Sequence, residues 1–423
     1  MTNAAWKLLD SHLSLQNRLA DGESVAISAE TIKAVTKREP RLMTKFDSRI
    51  QRPPTLSNAT ILPVRNGEYV ILPGDGYHEV EDLPTSDLWT LPDSAKKLTS
   101  LPWKSGPSSE SQLLDMTYSS GLLNEFLEEP EQYLTVRGRL RSPDFEFRFQ
   151  TSFGIELVHV SGVQVEVDAG YEGTSLNLVE AKLGKRDDFH IRQLYYPVRM
   201  WQERLPAKPA RAVFITYSDR VTSLRLYDFS PADYYGGLVL TKAADYVLDD
   251  QEFRIDLHEI LANTRPGLAP EGVTFPQADD MAKVLDVVDA TAAGVTDTNE
   301  IMERYGFASR QAVYYPTAAR YLGLLERSGT ERRLTEVGHV FSTAPRKFRH
   351  KLVLERLAAL SVFRFALEYA IANQGQLPQA EAIADRISSE SIQAGLPLGG
   401  TTLLRRAATV RSWTQWALNV VDE

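Results

Sequence analysis

The stretch that most constrains this chain lies between about residues 162 and 217. Valine occupies every second position from Val163 to Val167, and the positions between are polar. Such alternation is typical of a strand with one buried face. A glycine-containing turn at 169–174 leads into a second strand-like run, 176–183. Two runs joined this tightly are expected to pair as antiparallel neighbours.

Three charged side chains would meet on this hairpin. Asp168 lies near the end of the first strand, and Glu180 and Lys182 share one face of the second. Carboxylates are usual protein ligands of Mg²⁺, and a lysine beside the metal can orient or deprotonate water, its pKa lowered by desolvation and the cation. The set predicts phosphodiester hydrolysis. The alternative is a cross-strand ion pair on a solvated face.

The order of these residues resembles the PD-(D/E)xK nuclease superfamily. Asp168 is followed by Glu180-Ala181-Lys182 on the next strand and then by a predicted helix with Gln193. The resemblance implies that Asp168, Glu180 and the Ala181 carbonyl bind Mg²⁺, for which Mn²⁺ can substitute. It also implies that Lys182 activates the attacking water. Gln193 would hydrogen-bond that water or a phosphate oxygen, with an exposed glutamine as the alternative.

Three neighbouring positions carry weaker predictions. Val167 stands where the superfamily name has proline. Asp188 is expected to cap the helix that carries Gln193. In this fold a helix before the first core strand sometimes lends a carboxylate, and Glu125 is a candidate, although an exposed helix acid is the simpler interpretation.

Charge is unevenly distributed along the chain, whose net charge is −9. Residues 66–131 and 231–300 are acidic, with 13 acids against 3 Lys/Arg and 14 against 4. Residues 181–225 hold 10 Lys/Arg against 4 acids, and residues 301–360 hold 11 against 5. Phosphate binding depends on local basic surface, so these segments favour a nucleic-acid partner despite the acidic total.

A basic loop precedes the first strands. Seven Lys/Arg against two acids lie between Lys33 and Arg52. Contact with the DNA backbone and a solvated connector are both open interpretations of this segment.

The chain after residue 278 contains a pattern of helix, helix, longer helix and hairpin, typical of a winged helix-turn-helix. Arg310, Gln311 and Tyr314 lie early in the third helix, where base edges would be read. Arg332 and Arg333 near the hairpin tip would contact phosphate or the minor groove. The alternative is a module used for packing or dimerisation.

The last segment, 346–423, is helical and suggests a second winged-helix-like unit. Arg405 and Arg406 lie on the polar side of its final helix and are further DNA-binding candidates.

Several classes of protein are excluded or disfavoured. There are no cysteines, which removes disulfides and thiolate metal sites. No apolar run of about eighteen residues and no secretory signal pattern is present, so we expect a cytoplasmic protein without membrane contact. A phosphate-binding GxxxxGK[ST] loop is also missing, so ATP-driven translocation is not indicated.

We therefore expect an α/β (α+β) multidomain protein with a PD-(D/E)xK restriction-endonuclease-like core, a mixed sheet, and helical winged helix-turn-helix modules. The predicted domains are an N-terminal mixed α/β domain that is a candidate for DNA contact (1–108), the nuclease core (109–230), an acidic connecting subdomain (231–277), a winged helix-turn-helix (278–345) and a helical, second winged-helix-like domain (346–423).

The combination most resembles a type II restriction endonuclease that cleaves double-stranded DNA at a short sequence. A palindromic target would imply a homodimer, and a cognate DNA methyltransferase encoded elsewhere would protect the host. Two alternatives remain: a modification-dependent or repair nuclease, and a DNA-binding regulator with a degenerate nuclease core.

Overall fold

A computed structural model describes residues 2–83, 86–248, 254–267, 269–329, 331–393 and 398–422. Within them the protein is a mixed α/β structure built around a seven-stranded mixed sheet, and the expected multidomain α+β class is confirmed. Among the described helices, none combines the length and the apolar character that crossing a bilayer requires.

The N-terminal region has a small sheet and a hydrophobic core of its own. Its elements are α1 (Thr2–Leu13), α2 (Leu15–Ala20), β1 (Val25–Ser28), α3 (Ala29–Thr36), α4 (Pro40–Thr44), β2 (Thr60–Arg65) and β3 (Glu68–Leu72). The strand order is β1-β3-β2. Trp6 and Leu9 are fully buried at the centre of this core. Gly67, in the β2–β3 turn, has a φ of +77°, which glycine adopts without strain.

The central region contains the large sheet and two layers that cover it. Its elements are β4 (Tyr77–Glu79), β5 (Asp87–Trp89), α5 (Asp93–Lys96), α6 (Glu110–Ser119), α7 (Leu122–Leu127), β6 (Tyr133–Arg141), β7 (Phe145–Thr151), β8 (Gly154–Val160), β9 (Gln164–Glu172), β10 (Leu176–Leu183), β11 (Asp188–His190), α8 (Arg192–Arg204), β12 (Ala210–Ser218), β13 (Val221–Phe229) and β14 (Leu238–Leu248).

The sheet has the strand order β5-β14-β13-β12-β10-β9-β6. β10 is antiparallel to β9, as predicted, and parallel to β12. Helix α8 makes the crossover connection that the parallel pair needs. All eight residues of β10 are buried, because one face of the sheet is covered by α6 and α7 and the other by α8 and the β7–β8 hairpin.

Strand β9 contains an irregularity at the predicted metal ligand. Around Asp168 it has one more residue than its neighbour β6. Val165 and Val167 belong to the hydrophobic cluster that includes α8, whereas Ala169 and Tyr171 belong to the cluster that includes α6. A β-bulge of this kind turns a side chain away from the regular alternation. At Asp168 the buried side chains of β9 switch from the side of the sheet covered by α8 to the side covered by α6.

The C-terminal region is mainly helical. Its elements are α9 (Leu257–Asn263), α10 (Met281–Ala292), α11 (Thr298–Tyr305), α12 (Gln311–Tyr321), β15 (Leu325–Ser328), β16 (Glu331–Leu334), α13 (Glu336–Thr343), α14 (Arg346–Ala359), α15 (Ser361–Ala372), α16 (Ala380–Gln393) and α17 (Thr401–Asp422). The β15–β16 hairpin follows α10, α11 and α12, in the order that the sequence predicts. Trp413 of α17 is fully buried.

Buried ion pairs join the C-terminal region to the sheet. Asp219, in the β12–β13 turn, lies 2.6 Å from His350 Nε2 and 3.7 Å from Arg349 Nε. Both terminal nitrogens of Arg349 donate to Asp289, at 2.9 and 2.8 Å. Since Arg349 is completely buried, these charges depend on one another for solvation.

Three local predictions differ from the structure. Asp188 is not a helix cap; it lies in β11 and accepts the backbone N–H of Arg49 at 3.1 Å. The helix predicted before the first core strand, with Glu125, is two helices in the structure, because Gly121 adopts a φ of +76° between them. Strand β14 was not predicted: the 231–277 segment was expected to be a connecting subdomain, but its first part extends the sheet.

Candidate functional site

The candidate site lies at the end of β10, where two charged residues are buried. Glu180 is 8% exposed and Lys182 is 9% exposed. Lys182 Nζ donates to Glu180 Oε1 at 2.6 Å. A buried ion pair is poor evidence for stability, because desolvation offsets most of the attraction. A buried ion pair on an interior strand of the sheet is therefore a candidate functional group.

Asp168 lies on the neighbouring strand. The β9–β10 pairing ends at Val179 and Ala169, and Glu180 and Asp168 are the next residues of the two strands. Asp168 is half-buried, and its Oδ2 accepts the backbone N–H of Ala181 at 3.0 Å. The three predicted metal ligands are therefore adjacent.

Gln193 reaches the same cluster from α8. Its Nε2 donates to Glu180 Oε1 at 2.7 Å, so the amide and the Lys182 amine meet on one carboxylate oxygen. Within the described part of the chain, Gln193 Oε1 is buried without a hydrogen-bond partner. A buried acceptor oxygen that receives no hydrogen bond destabilises the folded protein unless a ligand or a water molecule donates to it. Gln193 is thus not the exposed glutamine of the alternative interpretation.

Glu110 is a fifth member of the cluster, and sequence reasoning missed it. It is the first residue of α6, whose N-cap Ser109 accepts the backbone N–H of Gln112. Glu110 Oε1 lies 3.5 Å from Lys182 Nζ. The predicted helix carboxylate, Glu125, is exposed on α7 instead. The Ser109 cap marked the start of the helix, but nothing local indicated that its first acid faces β10.

The excess of carboxylates sets the protonation of the cluster. Burial, and then the Asp168 carboxylate, raise the pKa of Glu180 to about 8, although Lys182 opposes this. Burial alone would lower the pKa of Lys182, but Glu180, Glu110 and Asp168 outweigh it and raise the pKa above the usual lysine value. The sequence predicted a lowered pKa for this amine. That prediction assumed a bound cation; the surrounding carboxylates by themselves act in the opposite direction.

The donor set fits a hard cation. Asp168 and Glu180 would supply carboxylate oxygens, and Ala181, whose backbone N–H donates to Asp168, would supply its carbonyl oxygen. These are ligand types that Mg²⁺ accepts together with water and phosphate oxygens. A cation would offset the burial and the Asp168 charge that raise the pKa of Glu180. Over the described residues, no set of three or more His, Cys, Asp or Glu side chains is arranged as a metal cluster.

Asp286 connects this site to the C-terminal region. It is 2% exposed on α10, and its Oδ2 accepts the backbone N–H of Lys185 at 2.8 Å and the hydroxyl of Ser218 at 3.0 Å. Burial, opposed by these two hydrogen bonds, raises the pKa of Asp286 to about 7. The loop that follows β10 is therefore held by a carboxyl group that titrates near neutrality.

Replacing Asp286 with asparagine is expected to change how stability depends on pH. The folded-state pKa lies above the unfolded one, so the wild type's stability is fully present below the unfolded pKa and is lost as pH rises toward 7. Asparagine cannot ionise. Urea unfolding from pH 5 to pH 8 should therefore show the variant gaining on the wild type by about 1.4 kcal/mol per pH unit up to pH 7. Parallel pH profiles would contradict this.

The residues predicted to read bases are placed differently from one another. Arg310 is exposed at the start of α12. Gln311 is half-buried; its Oε1 accepts the backbone N–H of Ala308 at 3.0 Å, and it lines a small cavity beside the 185–188 loop. Tyr314 is half-exposed on the same helix. The outer surface of α12 thus offers Arg310 and Tyr314, while Gln311 faces the central region.

The hairpin residues also differ. Arg332 is half-buried and donates to the backbone oxygen of Thr296, and burial lowers its pKa. Arg333 is exposed and lies 3.2 Å from Glu331. Arg327, which pairs with Arg332 across the hairpin, is exposed as well and was not predicted. The exposed cations of the hairpin are therefore Arg327 and Arg333.

The two predicted DNA-binding segments adjoin each other. Arg406 interacts electrostatically with Tyr314 of α12 and with Arg405. Arg405 is exposed, and across the described residues Arg406 Nε has no hydrogen-bond partner. Tyr314 of α12 and Arg406 near the start of α17 are therefore neighbours, and the same two helices carry the exposed Arg310 and Arg405.

Comparison with known proteins gives three matches to family models, each described as a domain of unknown function. Residues 3–71 match DUF6996, residues 73–247 match DUF6997 and residues 283–422 match DUF7226. The second match spans nearly all of the central region, and the third spans α10 to α17. No curated protein and no solved structure has a significant match to the chain.

Proposed function

We propose that the protein is a Mg²⁺-dependent endodeoxyribonuclease with a PD-(D/E)xK-type core, acting as a type II restriction endonuclease. The observation that carries the proposal is the convergence of Lys182 and Gln193 on one oxygen of Glu180, with Asp168 on the adjacent strand. Two strands and a helix bring together the residues that the resemblance requires, in the order that it requires.

Each residue has a chemical task in this proposal. Asp168, Glu180 and the Ala181 carbonyl would hold the metal, which supplies Lewis-acid activation of the phosphodiester. Lys182, held by Glu180 and Glu110, would stabilise the charge developing on the phosphate and orient the attacking water. Gln193 Oε1 is available to accept a hydrogen bond from that water. Glu110 holds the Lys182 amine in place.

The C-terminal region would bind the DNA duplex. Three helices followed by a hairpin are the arrangement of a winged helix-turn-helix, in which the third helix enters the major groove. The surface shared by α12 and α17 carries the arginines that suit phosphate and guanine. Cleavage of a palindromic site would require a homodimer, and a cognate methyltransferase would protect the host DNA.

Incubation of the purified protein with unmodified plasmid DNA tests the proposal. We expect discrete fragments with Mg²⁺ or Mn²⁺ and none with EDTA, and the fragment ends would give the recognition sequence. If fragments form only from DNA with modified bases, the protein would be a modification-dependent nuclease instead of a restriction enzyme. Tight, sequence-specific binding without cleavage of either substrate would contradict the nuclease and favour a DNA-binding regulator.

A further inference from the structure

The loop that follows β10 is held by helix α10 of the C-terminal region. We call residues 184–187 the β10 loop. The backbone N–H of Lys185 donates to Asp286 Oδ2 at 2.8 Å, and the carboxylate of Asp187 lies 2.5 Å from Lys283 Nζ. Asp286 and Lys283 are 2% and 5% exposed, and charged side chains are seldom buried without partners. Two buried side chains of α10 thus restrain this loop.

Arg186 connects the same loop to α11. It is 8% exposed, and its Nη2 donates to two backbone oxygens: that of Leu183 at the end of β10, at 3.0 Å, and that of Arg304 in the last turn of α11, at 2.6 Å. A cation is favoured at a helix C-terminus, where carbonyl groups lack partners within the helix. One side chain therefore links the end of the strand that carries Lys182 to the end of a C-terminal helix.

Two glycines let the β10 loop and α11 approach each other closely. A Cβ atom at Gly184 would overlap with the ring of Tyr305, and a Cβ atom at Gly306 would overlap with the Arg186 guanidinium. Glycine permits such an approach because it has no side chain. Leu183 and Tyr305 also belong to one hydrophobic cluster. The loop and the end of α11 are therefore packed directly against each other.

The end of β10 depends on such contacts because it is paired on one side only. Its ladder with β12 continues to Leu183 and Tyr217, whereas its ladder with β9 ends at Val179 and Ala169. The part of β10 beyond Val179, which includes Lys182, therefore has ladder hydrogen bonds to one neighbouring strand. Backbone with fewer protected hydrogen bonds opens more easily, so the loop contacts help to fix where the Lys182 amine lies.

We propose that the C-terminal region positions Lys182 through the β10 loop, with Arg186 as the positioning residue. The turn 306–310 leads from α11 into α12, the helix proposed to enter the major groove. A duplex bound on α12 is then held in a fixed relation to the amine of Lys182. The inference rests on the proposed nuclease function for the role of Lys182, whereas the restraint on β10 does not depend on it.

Amide hydrogen exchange followed by mass spectrometry measures this restraint independently of activity. Arg186→Met removes both carbonyl contacts and keeps an unbranched apolar side chain. We expect the peptide that spans residues 180–187 to exchange on the order of tenfold faster than in the wild type, while peptides from β2 and β3 exchange at the wild-type rate. An unchanged rate for 180–187 in the folded variant would overturn the proposal.

Arg186→Lys is the milder second variant. Lysine retains the charge but lacks the planar fork that donates to two carbonyl oxygens in a fixed geometry. We expect its exchange over 180–187 to lie between those of the wild type and Arg186→Met. If Arg186→Met does not fold, the lysine variant decides, and wild-type exchange in it would overturn the proposal.

Arg220→Met is the matched control. Arg220 is 9% exposed in the β12–β13 turn, and its Nη2 donates to the backbone oxygen of Ser342. It therefore joins the same region to the sheet through α13 instead of α10 and α11. We expect its exchange over 180–187 and its cleavage rate to stay within about twofold of the wild type. Equal effects of the two arginine substitutions would overturn the role of Arg186, since docking of the whole region would then be responsible.

Single-turnover cleavage at saturating protein tests what the positioning does. We expect Arg186→Met to cleave plasmid DNA with Mg²⁺ at least about tenfold more slowly. Its binding of a short duplex in EDTA should be unchanged, because Arg186 contacts backbone oxygens of the protein. Wild-type cleavage by the folded variant would overturn the positioning role. Faster exchange over 180–187, with no cleavage or DNA binding by either protein, would overturn the nuclease function, while the restraint on β10 would stand.

Discussion

Replacing Lys182 with alanine is expected to lower the rate of Mg²⁺-dependent DNA cleavage by about 10³-fold. The amine is charged, buried and fixed by two carboxylates, at 2.6 and 3.5 Å. Such a group stabilises a transition state strongly because it needs no reorganisation and is little screened by water. The measurement is the single-turnover rate on plasmid DNA at saturating protein, which separates chemistry from binding.

Lys208→Ala is the matched control for this variant. Lys208 also forms a short ion pair, 2.5 Å from Glu172, but at the C-terminal end of β9, beyond Asp168. Its removal should leave the cleavage rate within about twofold, as expected for a partly exposed ion pair. Circular dichroism and DNA binding in EDTA verify that each variant is folded. A Lys182→Ala protein that is folded and cleaves at the wild-type rate would refute the proposed site.

Replacing Arg349 with methionine is expected to lower the free energy of unfolding by about 3–5 kcal/mol. Arg349 is completely buried, pairs with Asp289 through both terminal nitrogens, and lies over the ring of Phe341 at 4.0 Å. Methionine retains much of the volume but leaves Asp289 and Asp219 without their shared cation. The loss therefore reports an uncompensated buried charge rather than a cavity.

Urea unfolding at neutral pH measures this effect. Arg18→Ala is the control, because Arg18 makes the same two-point contact with Glu23 on the exposed surface of the N-terminal region, where it should not change the unfolding midpoint. If the two variants have the same stability, the Asp219–Arg349–Asp289 network does not hold the C-terminal region to the sheet.

The sequence by itself determined the local geometry of the site. The valine alternation and the tight turn predicted the β9–β10 hairpin, and the structure confirms that the two strands are antiparallel neighbours, with Asp168 accepting the backbone N–H of Ala181. These features depend on residues close in sequence, whose pairing follows from strand periodicity and a short connection. The same local rules predicted α8 closely enough to place Gln193 at the site, and they predicted the three helices and hairpin of the C-terminal region.

Only the tertiary structure decided which distant groups surround Lys182. Glu110 and Asp47 come from segments far from Lys182 in the chain, and no local pattern distinguishes them from other surface acids. Glu110 and Asp47 come near Lys182 only because α6 and residues 45–51 pack against the sheet, and that packing results from burial across the whole core. The raised pKa of Lys182 follows from that packing. In the same way, the inward position of Gln311 follows from how α12 packs against the central region. Periodicity assigns residues to faces, whereas the electrostatics of a site depends on every charge that the folded chain brings within a few ångströms.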